Sequence, residues 1–307
     1  MTNLTAPDVS VVQPVEPAIE RVKQILFRPF KFEKWIAIGF CAWLATLGEG
    51  GANFNFNNTS GAGNSNLSHT FDRARDYTLQ NLAWIIPMGI ALIFVLFVIW
   101  IGVVWLSSRG RFMLLHCVAL DRGEVAAPWQ KFASPAKSLW LFRLMLGAVG
   151  LMALLPLLAI LLTLMLKSSR QTWHFSTGPL IALVFTCLIF CCTCVALGIV
   201  SSFTTNFVLP IMYLRGGTCL EGWRVFRELL SANPGRFVLY LLFQVILGIA
   251  VLFLILLAVL CTCCIAGCLL VIPFVGSVAL LPVTVFHRAY PLYYLAQYGP
   301  EFDVFKP

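Results

Sequence analysis

The longest charge-free stretch of the chain, Phe237 to Phe286, runs for fifty residues without an Asp, Glu, Lys or Arg. As one helix rising about 1.5 Å per residue it would reach about 75 Å, more than twice the ~30 Å hydrocarbon core of a bilayer. It must turn back. Two further runs, Leu82 to Ser108 and Leu144 to Leu166, each hold one crossing, which takes about 20 apolar residues. Composition agrees. The 307 residues are 60% hydrophobic and 11% charged, against about 25% charged in an average soluble domain. A soluble chain of this kind would lack the polar surface to cover itself.

Six apolar segments are expected: Trp35 to Gly48, Leu82 to Leu106, Leu139 to Leu166, Pro179 to Phe207, Phe237 to Leu260 and Leu269 to Phe286. The first is short. Pro87 and Pro156 fall inside segments, where neighbouring groups can satisfy the carbonyls that proline frees. Residues 1–16 read as a disordered cytoplasmic tail, polar and dotted with proline and without the pattern of a signal peptide. Residues 17–290 form a single membrane domain with an external Gly/Asn/Ser-rich loop over 49–81. Residues 291–307 form a cytoplasmic tail.

Lysine and arginine give the orientation. Sixteen of them flank the segments on one side: Arg21, Lys23, Arg28, Lys31, Lys34, Arg109, Arg111, Arg122, Lys131, Lys137, Arg215, Arg224, Arg227, Arg236, Arg288 and Lys306. Four flank the other: Arg73, Arg75, Lys167 and Arg170. The excess marks the cytoplasmic face and puts both termini there. It also accounts for the +8 net charge, so no nucleic-acid partner is expected. Basic groups at that face attract anionic headgroups at up to about 1 kcal/mol each.

One passage is written twice. SSRGRFMLLHCVALDRGEVAAPWQKF, from Ser107, and SSFTTNFVLPIMYLRGGTCLEGWRVF, from Ser201, share Ser-Ser, two Leu, Gly, Trp and Phe without a gap. Each has a glycine turn followed by a short amphipathic helix. In the second, Cys219, Trp223, Phe226 and Leu230 fall on one face, with Glu221, Arg224, Glu228 and Ser231 opposite. In the first, Trp129 and Phe132 take the matching places, beside Val125. Aromatic residues beside basic ones suit a helix lying in the cytoplasmic interface, with Trp129, Phe132, Trp223 and Phe226 as anchors. LFRLMLG, from Leu141, and LFQVILG, from Leu242, continue the match. Residues 18–35 give a third copy, with Ala18, Val22 and Ile25 as its apolar face. The expected fold class is therefore all-α: a polytopic membrane protein of about six transmembrane helices with interfacial amphipathic helices, built from two or three helix-plus-hairpin repeats.

LRGGTCLEGWRVFRELLSANPGRFVLYLL is similar to a linker in the membrane domain of some bacterial glycerophosphodiester phosphodiesterases. There a Gly-rich turn, a Glu, a Trp and a basic amphipathic helix precede the next span. The chain as a whole resembles a set of uncharacterised bacterial six-span proteins, through RVKQILFRPFKFEKWIAIGFCAWLATLGEGG, GRFMLLHCVAL and LPVTVFHRAYPLYYLAQYGPEF. The resemblance implies a multi-pass protein of the bacterial inner membrane. It brings no catalytic domain and no cofactor.

Few residues offer chemistry. Arg143 lies inside a segment, where its guanidinium can snorkel to the headgroups or contact a lipid phosphate. Gln244 holds the matching place in the next unit, and both suit interhelical hydrogen bonds or a polar lining. His69, His116, His174 and His287 form no metal spacing. Cys187, Cys191, Cys192 and Cys194 suit packing inside a helix. Cys261, Cys263, Cys264 and Cys268, at an outer turn, leave packing, a disulfide or a metal open. The tyrosines of AYPLYYLAQYG suit an aromatic interface anchor. No set of residues supports an enzyme. A structural, lipid-interacting or assembly role is expected, with transport of a small molecule or lipid between the hairpins as the alternative.

Overall fold

The computed structural model describes residues 9–47, 82–121, 123, 126–168, 177–262, 267, 270 and 272–305. The expected loop over 49–81 lies outside them, as do Cys263, Cys264 and Cys268. The described chain is helical, with no strand.

Two short helices come first, α1 (Val15–Phe27) and α2 (Phe32–Thr46). Helix α3 (Leu82–Leu120) has 39 residues, about 58 Å at the usual rise. A short α4 (Ala126–Lys131) leads into α5 (Ala133–Ser168). Helix α6 (Thr177–Phe203) passes through a π-turn (Thr204–Val208) into α7 (Leu209–Arg215). There follow α8 (Cys219–Ala232), α9 (Pro234–Cys261), α10 (Pro273–Ala279) and α11 (Leu281–Ala296).

Among the described residues, four helical stretches are long and apolar enough to cross a membrane: Pro87–Leu120, Ala133–Thr163, Ile181–Arg215 and Pro234–Cys261. The first and last expected segments are not among them. Helix α2, with 15 residues, spans about 22 Å, short of the hydrocarbon core. The last segment divides into α10 and α11, between which Leu280 leaves helical geometry. Helices α2 and α10 pack together: a Cβ on Gly39 of α2 would come within 2.7 Å of Val278 in α10.

The buried core lies at one end of the long helices. It takes the C-terminal part of α3 (Phe112, Leu115), the start of α5 (Ala136, Leu139), the π-turn and α7 (Phe207, Met212) and the start of α9 (Phe237, Tyr240). Successive long helices thus contribute opposite ends, as antiparallel neighbours must. Away from that end the side chains are exposed, Met152 to 72% and Phe253 to 65%. Such surfaces are stable only against lipid or another apolar partner.

Around this end the small helices close. Helix α1 buries Ala18, Val22 and Ile25, its expected apolar face. Arg21 reaches across and donates to the carbonyls of Val118 (3.1 Å) and Ala119 (2.7 Å), at the end of α3. Cations and free carbonyls at a helix C-terminus attract each other. Helix α2 lies along α3, tied by the Lys34–Asp121 ion pair at 2.7 Å and by Ser107 Oγ donating to Ala45 O at 2.8 Å. Residues 291–305, expected as a tail, belong to the core instead: Leu292, Tyr294, Leu295 and Phe302 are buried. Ser10, near the start of the described residues, is held there too. Ser10 and Gln297 exchange two hydrogen bonds of 2.9 and 3.0 Å.

The glycine turn after α7 forms as the sequence predicts. Gly216 ends the helix in the left-handed region (φ 69°), which glycine enters without a Cβ penalty. Thr218 and Glu221 then form a capping box at the start of α8.

Candidate functional site

The expected anchors divide. Phe226, on the apolar face of α8, is fully buried by protein and stacks on Phe207 at 5.1 Å between ring centroids. Phe132 is 7% exposed and stacks on Phe112 at 5.7 Å. Neither ring is available to lipid. Trp223 and Trp129 are half-buried. Trp223 leans on Phe142 and Phe226, and the guanidinium of Arg109 lies over both Trp105 and Trp129. The tyrosines of the C-terminal passage also turn inward. Tyr290 donates to Val11 O (3.0 Å) and Tyr294 to Arg236 O (3.1 Å). Amphipathic spacing identifies a face that leaves water, and here the ends of the long helices cover that face rather than a membrane.

Arg143 turns toward α3. Its Nη1 donates to the hydroxyls of Ser107 (3.0 Å) and Ser108 (3.3 Å), the interhelical contact its position suggested. Gln244 lines a half-open cavity of about 150 Å³ between α2, α3, the π-turn, α9 and α11. Its Oε1 is buried without a hydrogen-bond partner among the described residues. Arg143 is not in that lining. Cys261 is an exposed free thiol at the end of α9.

The strongest polar feature around Gln244 was not singled out in the sequence. Two arginines, Arg111 of α3 and Arg288 of α11, line the same cavity and are only 2% and 6% exposed. Both hold Thr205 of the π-turn. Arg111 Nη1 donates to Thr205 Oγ1, and Arg288 Nη1 to Thr205 O at 2.8 Å. Arg288 Nη2 also reaches Arg111 O at 3.5 Å. Burial of an ionised group costs several kcal/mol unless polar neighbours compensate. Thr46, Asn206, Thr284 and His287 complete the polar lining. Burial lowers the pKa of His287, so its imidazole is neutral at neutral pH. The sequence counts both arginines as loop charges. Their signal is local: each stands in an otherwise apolar passage, RFMLLHCVAL and VTVFHRAYPL, just past a charge-free run.

This arrangement concentrates positive charge and neutral hydrogen-bonding groups. Cys219 is buried, and desolvation pushes its thiol up to about 12, which leaves no thiolate at neutral pH. Among the described residues no group of His, Cys, Asp and Glu is placed to hold a metal.

Residues 9–281 match a family of unknown function, DUF7544. The chain belongs to that family. No curated protein and no solved structure matches it. The uncharacterised-family resemblance is thus supported, and the family description assigns no activity.

Proposed function

We propose that the protein is a multi-pass protein of the bacterial inner membrane with a lipid-interacting, structural role, its packed end at the cytoplasmic surface and both termini there. One observation carries this reading: four long apolar stretches emerge from a single packed end with their side chains almost wholly exposed. Helices of that kind need lipid around them, while the packed end carries most of the basic residues. Arg224, Arg227 and Lys131, all outside the core, would meet anionic headgroups.

The doubled passage reads as an internal repeat. Each copy stacks a phenylalanine near the end of a long helix on one at the following short helix: Phe112 on Phe132 and Phe207 on Phe226. The first members are 95 residues apart and the second 94. The sequence resemblance of α8 and its turn to a linker in phosphodiesterase membrane domains is consistent with a shared membrane scaffold.

A lipid role predicts that delipidated protein loses thermal stability and that added phosphatidylglycerol restores it better than phosphatidylcholine. Equal recovery with both lipids would count against a role for anionic headgroups. Transport is less well supported. On the structural reading, solute flux through reconstituted liposomes should match that of empty ones.

A further inference from the structure

The corner between α1 and α2 departs from the rest of the packed end. Its sequence is Phe27-Arg28-Pro29-Phe30-Lys31-Phe32, and its rings face outward. Phe30 is 60% exposed, Phe32 64% and Phe27 52%, whereas Phe112, Phe207 and Phe226 at the same end are buried. We propose that this corner is a docking site for the cytoplasmic leaflet of the membrane, taking phospholipids with a preference for anionic headgroups.

Three observations point to this partner. First, the rings are held in place. Trp35 Nε1 donates to Leu26 O at 2.8 Å, which ties the start of α2 to the end of α1. Phe27 and Phe30 pack against Trp35 at 6.0 and 5.8 Å between ring centroids. An apolar patch fixed outward in this way marks an interaction site. Second, the apolar surface continues along α2. Phe32, Ile36 and Phe40 are exposed and fall four residues apart, so they share one face of the helix. The other face, with Ile38, Cys41 and Ala42, is buried. The stripe runs on toward Trp43, which meets the exposed Phe274 of α10 at 6.3 Å. At about 22 Å, α2 can enter one leaflet without crossing both. Third, the charges alternate with the rings. Glu20 is shared by Lys23 and Arg28, at 3.6 Å each, and Lys34 is taken by Asp121. Lys31 and Glu33 are exposed. Lys23, Arg28 and Lys31 against Glu20 and Glu33 leave the corner net positive. Aromatic rings beside cations suit the headgroup level of an anionic leaflet. That the stripe meets lipid rests on the membrane placement proposed above; the fixed outward rings and their charges do not.

The test is photo-cross-linking of the full chain in vesicles made from equal parts of phosphatidylglycerol and phosphatidylcholine. Phe30, Phe32 or, in α9, Phe253 is replaced by p-benzoylphenylalanine, and the adducts are read by mass spectrometry. All three side chains are exposed, so each variant should keep the parent's unfolding midpoint in detergent. The expected result is lipid adducts at all three positions. At Phe30 and Phe32 the ratio of phosphatidylglycerol to phosphatidylcholine should exceed that at Phe253 by about twofold or more. Arg28→Gln with Lys31→Gln should bring it back to the Phe253 ratio. Adducts at Phe253 without any at Phe30 and Phe32 would overturn the proposal and leave the membrane reading standing. A second copy of the chain captured at Phe30 or Phe32 would overturn it in favour of a protein interface. Equal ratios at all three positions would overturn the anionic preference. An absence of lipid adducts at Phe253 as well would remove the membrane reading and this site with it.

Discussion

Replacing Phe226 with alanine is expected to destabilise the protein by about 3–5 kcal/mol, the usual cost of emptying a buried phenylalanine site. The ring has no exposed surface. It stacks on Phe207 at 5.1 Å and meets Phe203 and Phe237 edge-on or tilted at 5.2 and 5.3 Å. These partners come from three separate elements: the end of α6, the π-turn and the start of α9. None can follow the missing ring without leaving its other contacts, so the cavity cannot collapse cheaply. A thermal unfolding midpoint in detergent measures the effect. If Phe226 were instead an anchor lying in lipid, alanine would leave that midpoint nearly unchanged and weaken only membrane contact.

The second large effect is expected at Gly110. A Cβ built there would lie 2.7 Å from the backbone nitrogen of Ala45 and 2.7 Å from the carbonyl carbon of Leu44. Backbone atoms of a packed helix have no rotamer to escape into, so Gly110→Ala must push α2 away from α3. Overpacking of this kind costs about 1–3 kcal/mol, and α2 carries much of the core interface, including Ile38, Cys41 and Leu44. Gly102, one helical stretch earlier in α3, has nothing within 4 Å of its Cβ position. Gly102→Ala should therefore leave stability unchanged or raise it, because alanine is the better helix former by about 1 kcal/mol. Comparing the two unfolding midpoints separates close approach from helix propensity.

The sequence reveals those parts of the fold that depend on composition along one helix. The runs at Leu82–Ser108 and Leu144–Leu166 give two of the four long helices directly. The glycine stop at Gly216 and the faces of α1 and α8 are also legible, because local chemistry sets them. What covers a face is not local. The apolar side of α8 has the period of a surface-lying helix, yet Phe226 meets Phe207, nineteen residues away along the chain. Nor does the end of an apolar run mark the end of a helix. Helix α3 continues to Leu120, so Arg111 rides on it into the core. Arg111 and Arg288 become a pair only through the meeting of α3 and α11 at Thr205, a contact between residues 83 positions apart or more. Gln244 was legible as a polar residue in an apolar run, but its arginine neighbours were hidden among charges that topology alone explained.

The account depends on the packed end facing the cytoplasm while the long helices stand in lipid. Glu228, exposed on the outer face of α8, is the position to probe. With Glu228→Cys in living cells, a membrane-impermeant maleimide followed by mass analysis of the α8 peptide reads which side the helix occupies. The prediction is no modification in intact cells and full modification once the membrane is opened. Modification in intact cells would place the packed end outside and contradict the account.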